Sequence, residues 1–424
     1  MKDNKIIFGT LIVLLLLLTV GLSYAYFSTS VKGNDNAKDV VVKAGTLSLV
    51  YTDGPEIKVE NIRPGKTITK EVTVKNTGTL DTNYNIVWQS LINEITNDEL
   101  VLSATCQRLN SVGTVEETCN SIPQAPISDM TITKKISIES GITHKYTFTI
   151  LFKETNTDQN YNQGKEFNGV LGIEEYKAPD FATDSWSTII ANVKSGNGSE
   201  YAVGSTKEVN LGTTYGTHTL RVANTSTPGE CSTTGFSQTA CGFVLEFADI
   251  ITTHNMNPKG EYKGTTYNDG WNVDGWPASS MYTFVNNDIY NALSDEIKNA
   301  IIDTTVVSGF GPDDTANFTS TDKLYLLAPG EVYSDWKTIT INGEPLYDTA
   351  KNLTRTLDYY KNLGVTTINS SGAGKKNGTY DSYWWLRTAT AITGSYFYDV
   401  SNNGDWSNYD ANYTGGAAPA FRIG

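Results

Sequence analysis

The stretch YDSYWWLRTATAITGSYFYDVSNNGDWSNYDANYTGGAAPAFRIG, residues 380–424, sets aromatic rings and amides side by side with little aliphatic bulk. Between Gly394 and Tyr413 stand four Tyr, one Phe, one Trp, four Asn, three Asp and three Ser. One reading is a set of short, half-buried strands joined by turns such as NNGD at 402–405, since Tyr and Trp suit a pleated surface and Asn, Asp and Gly suit turns. The other is a contact surface, because rigid rings give area at low entropic cost and short polar side chains adjust their hydrogen bonds to a ligand. In that case the ligand meets Tyr396, Tyr398, Asp399, Asn402, Asn403, Asp405, Trp406, Asn408, Tyr409, Asp410, Asn412 and Tyr413.

A chain of 424 residues is too long for one ordinary core and predicts roughly two to three domains. A net charge of −14, with the few Lys and Arg scattered, leaves no basic footprint for phosphates and excludes nucleic acid as a partner. Plentiful Tyr and Gly with 18% charged residues fit an extracellular β-rich protein.

Residues 1–25 combine Lys2 and Lys5, an uncharged run from Ile6, and the small-residue pattern Ser23-Tyr24-Ala25, which reads as a secretory signal cut after Ala25. The alternative is an uncleaved anchor, because the run nearly matches a bilayer core of about 30 Å. Any membrane contact is expected only through this segment. Cys106 with Cys119 and Cys231 with Cys241 lie close in sequence, so two local disulfides are the natural pairing, with free buried thiols as the alternative.

Residues 26–44 form a polar segment. From Gly45, period-two patterning appears in LSLVY, TITKEVTVKN, YNIVW, YTFTILF and NGVLGIEEY, broken by Gly, Asn, Asp and Pro, and predicts a β-sandwich over 45–177. Pro179 breaks that pattern. Asp184 is placed to cap a helix through SWSTIIANVKSG; two further helices are expected over 285–302 and 349–363, with strand-like ACGFVLEF and KLYLLAP between them. Residues 178–424 therefore read as an α+β domain.

The AYFSTS junction, KAGTLSL, and the segment from Ile62, Pro64 and Gly65 to Asn76 and Gly78 resemble the TasA and camelysin family of secreted Gram-positive fibre proteins. That resemblance implies a jelly-roll-like sandwich whose freed N-terminal segment adds a strand to the next subunit. The C-terminal set, from CSTTGFSQTACGFVLEF through DGWNVDGW, DKLYLLAPGEVY and YWWLRTA to AAPAFRI, resembles a family of secreted Gram-positive domains of unknown function. Its closing architecture is similar to C-type-lectin-like domains. The resemblance implies that Trp384, Trp385 and Leu386 are framework, Arg387 a buried or semi-buried ion-pair partner and Pro419 to Ile423 the closing strand, with 396–413 displayed to a ligand. Ala418 stands where the family carries Arg, and Thr388 where Ser is usual.

Little in the sequence points to catalysis. His144, His218 and His254 stand apart, and no G-x-S-x-G, H-E-x-x-H or phosphate-loop pattern occurs. Sulfatase-modifying enzymes, which share the C-type-lectin-like architecture, use paired cysteines in the later part of their domain; no Cys follows Cys241 here, which removes that chemistry. Glu246, Asp249, Asp269 and Asp274 are the least ordinary carboxylates; Glu246 reads either as an acid of raised pKa or as the solvent face of its strand. YNDGWNVDGW (267–276) offers oxygens for Ca²⁺ without the spacing of a calcium loop, so no cofactor is expected. Trp271, Trp276, Trp406 and Tyr409 are candidate plates for a sugar. The expectation is a secreted or cell-surface binding protein, not an enzyme, whose partner is a glycan or protein. A fibre subunit assembling by strand exchange and a carboxylate-dependent glycan hydrolase are the alternatives.

Overall fold

The computed structural model describes residues 40–44, 47–54, 63–341, 344–345 and 347–424. The expected signal peptide, the segment 26–39 and the junction motif lie outside them. The chain is β-rich and multidomain, with two compact units, the first ending at Lys177 and the second beginning at Ala178.

The N-terminal unit is a sandwich of ten strands: β1 (Val40–Ala44), β2 (Leu47–Thr52), β3 (Thr67–Asn76), β4 (Thr82–Asn93), β5 (Leu100–Leu109), β6 (Val115–Thr118), β7 (Ile122–Pro126), β8 (Thr131–Ile138), β9 (Thr143–Phe152) and β10 (Phe167–Glu175). One sheet runs β1-β2-β3-β9-β5-β6, with β7 also on β5, and the other β10-β4-β8. All of these pairings are antiparallel. The sandwich thus begins before Gly45, because β1 pairs with β2 from Val40↔Tyr51 to Ala44↔Leu47. Alternation along β9 sends Tyr146, Phe148, Ile150 and Phe152 inward, where Tyr84, Ile86 and Trp88 of β4 meet them. Cys106 of β5 is bonded to Cys119.

The C-terminal unit is built around two sheets. The first orders β11 (Thr206–Asn210), β12 (Thr217–Asn224), β13 (Val244–Phe247) and β19 (Ala420–Arg422), all antiparallel. The second orders β14 (Thr252–His254), β18 (Gly415–Ala417), β15 (Trp384–Ala389), β16 (Tyr396–Val400) and β17 (Trp406–Asp410). Its β15–β18 contact is parallel, at Trp384↔Gly416, and its other pairings are antiparallel. Cys231 and Cys241 are joined.

Helix α1 (Trp186–Lys194) forms where the apolar spacing predicts it, but its cap is Ser185, whose side chain accepts from the Thr188 amide. Asp184 instead accepts from the Tyr201 hydroxyl and the Asp180 amide. The helix expected over 285–302 is two helices. Helix α2 (280–292) contains a π-turn at Val285–Ile289; Leu293 is extended, and Ser294 caps α3 (Asp295–Ala300). The helix expected over 349–363 shrinks to Asp358–Asn362, because tertiary hydrogen bonds claim the turn before it. Leu353 O accepts from Ser237 N, and the Arg355 guanidinium reaches Asn224 Oδ1 and Ala240 O.

Candidate ligand-binding face

The strand β17 occupies an edge of the five-stranded sheet, and its register against β16 sorts the expected contact residues onto two faces. Trp406 lies opposite Val400, Asn408 opposite Tyr398 and Asp410 opposite Tyr396, while Ser407 lies opposite Asp399 and Tyr409 opposite Phe397. Period two therefore puts Trp406, Asn408 and Asp410 on one side and Ser407 and Tyr409 on the other.

The Trp406 side belongs to the core. Trp336 is fully buried and makes edge-on contacts with Tyr398 at 5.2 Å and with Trp406 at 5.6 Å. Trp336 Nε1 donates to Asp348 Oδ2 at 2.8 Å. Tyr398 is buried and Trp406 half-buried, so both serve as framework and not as free contact surface.

On the opposite side a ladder crosses three strands, from Trp385 through Asp399 to Ser407. Trp385 is buried, donates from Nε1 to His254 O and meets Tyr413 edge-on at 6.3 Å. Tyr413 in turn lies 4.5 Å from Tyr409, and both rings are exposed, at 38% and 47%. On the same side of the sheet Asp399 is only 2% exposed, which removes it from direct contact, and its Oδ1 has no hydrogen-bond partner. Burial pushes this carboxyl up to about 7 against the opposing pull of the Ser407 hydroxyl.

The remaining predicted residues lie in the turn or are half-buried. Asn402, Asn403 and Asp405 make the exposed hairpin turn between β16 and β17, where Asn403 Nδ2 donates to Asp405 Oδ2 at 2.7 Å and Ser401 N to Asp405 O at 2.8 Å. Tyr396, Asn408, Asp410 and Asn412 are half-buried, with Asp410 accepting from Ser395 and Asn412 donating to Asn268 O. Trp271 and Trp276 do not join the face. Trp276 is buried on Asp322, and Trp271 lies under Tyr262, which stacks on it at 4.8 Å.

The carboxylates singled out for catalysis are held in ion pairs or hydrogen bonds, or stand exposed. Glu246 is fully buried, contrary to the solvent-facing reading, and accepts from Arg221 (2.8 Å), Lys375 (2.8 Å) and Tyr360 (2.8 Å). Burial alone would raise its pKa, but the two cations hold it down to about 2, the opposite of the raised acid that sequence allowed. Asp274 is engaged by Tyr262 and Lys263, and Asp269 is exposed. His218 does not stand alone: its Nδ1 lies 2.9 Å from Asp249 Oδ2, a pair joined across strands that sequence spacing could not show. Among the described residues, the His, Cys and carboxylate side chains close enough to share an ion are Cys106, Cys119 and His144.

Two family models match this chain. Residues 248–424 match the domain of unknown function DUF6273, and residues 5–99 match the family described as camelysin metallo-endopeptidase. The DUF6273 segment holds the whole five-stranded sheet, from β14 to β18, while the camelysin segment ends just before β5. No curated protein matches. A family 123 glycoside hydrolase from Clostridium perfringens is similar over 27% of this chain and 19% of its own, at 14% identity and a TM-score of 0.15. The likeness is too slight to bear on fold or activity. The camelysin-family match and the two disulfides together point to an extracellular protein.

Proposed function

We propose that the protein is a cell-surface or secreted binding protein, an adhesin, whose C-terminal unit takes a glycan or protein ligand on the face headed by Tyr409 and Tyr413. The observation that carries this reading is the exposed pair of rings at the sheet edge, next to the buried Trp385, with Asn402, Asn403 and Asp405 exposed in the turn that leads into the same strand. Exposed aromatic rings over a rigid support, with amides around them, suit recognition of sugars or protein side chains. The resemblance of the closing sequence to C-type-lectin-like domains, an expectation from sequence, favours the same face. In this reading the unit binds without turnover, and neither the peptidase in the camelysin family's name nor a hydrolase is assigned to it. The test is binding of the full chain to a glycan array and to cell-surface proteins, with and without Ca²⁺. Binding that persists undiminished in Tyr409→Ala/Tyr413→Ala, or steady turnover of peptide or glycan substrates, would sink this reading.

A fibre subunit is the second reading, favoured by the place of β1. Among the described residues it pairs with β2 alone, as the outermost strand of its sheet. An outer strand donated by a neighbour would make the same ladder between subunits. Filaments that form with rising concentration and vanish on deletion of residues up to Ala44 are the expected sign; monomers at every concentration oppose it.

A further inference from the structure

The Cys106–Cys119 disulfide closes against a buried histidine. The ligand atoms of Cys106, Cys119 and His144 all lie within 4.8 Å of one another. Strands β5 and β9 are paired with Cys106↔Tyr146 and Arg108↔His144, so Cys106 and His144 are diagonal neighbours on one inward face. Cys119 is held beside them by its amide, which donates to Cys106 O at 3.2 Å. By contrast, Cys231 and Cys241 pack with Phe236, and no such grouping surrounds them among the described residues.

We propose that this disulfide masks a metal site, in which the two thiolates of the reduced form and the His144 imidazole bind one Zn²⁺ ion. The histidine is already oriented for that role. Its Nδ1 lies 2.8 Å from the Tyr84 hydroxyl, which lies 2.9 Å from the Tyr146 hydroxyl, so Nε2 is left for the ion. A ligating histidine commonly has its other nitrogen fixed in this way. Zinc takes thiolates at about 2.3 Å and imidazole nitrogen at about 2.0 Å. Binding at those distances requires the freed cysteine side chains to turn from a grouping that already lies within 4.8 Å. Cys119 is partly exposed, which gives the ion an entry path and leaves its fourth position to water.

Arg108, opposite His144, is matched by Glu116, by Glu139 at 2.6 Å and by Glu117 at 3.7 Å, three carboxylates for one guanidinium. The redox step is a thiol–disulfide exchange. A small dithiol gives two electrons and two protons, becoming a disulfide itself, while Cys106 and Cys119 become thiols; metal binding then releases their two protons. Cys106 and Cys119 lie beyond the segment matched by the camelysin family, so the proposal draws nothing from that family's name.

The full chain, reduced with a small dithiol, is titrated with Co²⁺ as a spectroscopic stand-in for Zn²⁺, with near-ultraviolet circular dichroism reporting the fold. One equivalent of Co²⁺ with thiolate-to-metal charge-transfer absorption is expected after reduction and none before it. The band should persist in Cys231→Ser/Cys241→Ser, disappear in Cys106→Ser/Cys119→Ser and weaken about 10- to 100-fold in affinity in His144→Ala, with a smaller loss in Tyr84→Phe. Equal affinity in His144→Ala, no band in the reduced folded chain, or loss of the sandwich fold on reduction overturns the proposal.

Discussion

Arg387 and Glu331 meet inside the C-terminal unit as a two-pronged ion pair, with Nη1 to Oε2 at 2.6 Å and Nη2 to Oε1 at 2.5 Å, and neither side chain has exposed surface. Every remaining valence is used. The guanidinium also donates to Leu326 O and Val307 O, and the carboxylate accepts from Thr354 Oγ1 and Ala328 N. The pair ties β15 to the one-turn helix Pro329–Val332.

Removing one partner leaves the other charged and buried. Arg387→Met should cost about 3 to 5 kcal/mol, whereas Arg387→Met with Glu331→Met should recover much of that loss. Urea unfolding of the two variants measures the difference, and equal losses would show that the pair is not coupled as the geometry requires.

Asp399 should make the protein less stable as pH rises. Its folded pKa, about 7, exceeds the unfolded value near 4, so the folded state holds the extra proton between them. Stability therefore falls as pH climbs from about 4 to about 7 and is flat above. Asp399→Asn should remove that slope and gain on the order of 1.4 kcal/mol per pKa unit at neutral pH. A wild-type midpoint that does not fall across this window, with the Asn variant unchanged, contradicts the burial described for this carboxyl.

Glu246 carries the opposite slope. Its folded pKa, about 2, lies below the unfolded value near 4.3, so its contribution is present above about 4.3 and lost as pH falls toward 2. Glu246→Gln should flatten that acid limb and, by leaving Arg221 and Lys375 without their shared anion, lower stability at neutral pH by about 3 kcal/mol or more. Denaturant midpoints taken between pH 2 and 7 read both effects.

The two sides of β17 should respond differently to truncation. Tyr409→Ala and Tyr413→Ala remove exposed rings and should leave melting within about 0.5 kcal/mol of wild type. Trp406→Ala opens a gap against Trp336 and should cost about 2 to 3 kcal/mol. The reverse order of stability losses would place the ligand face on the Trp406 side.

Gly404 sits in the β16–β17 turn with φ +91°, and a β-carbon there would come within 2.2 Å of Ser370 O. Gly404→Ala should destabilise by more than about 1 kcal/mol through strain and through displacement of Gly404's own carbonyl, which accepts from the Tyr333 hydroxyl. An unchanged melting temperature would show that the turn relaxes freely.

The sandwich strands were legible because each has one buried face, and alternation such as Tyr146, Phe148, Ile150, Phe152 is a local signal. Helix α1 was legible for the same reason. Residues 349–357 were not, since what decides their path is a set of hydrogen bonds to Asn224, Ser237 and Ala240, far away in sequence. The composition of 394–413 marked an unusual segment, but which side of β17 is packed depends on Trp336, a residue that its own neighbourhood does not connect to β17. The burial of Glu246 likewise depends on Arg221 and Lys375 arriving from two other parts of the chain.

The closing strand β19 is paired with β13, register Glu246↔Ala420, and Ala420 also bridges to Tyr325 while Ile423 bridges to Ile301. Most of the C-terminal unit separates the members of the first pair. During synthesis the first sheet therefore waits for residues 420–422, and before they arrive β13 has one side without a ladder partner. Contacts of such long range slow the search for the native topology.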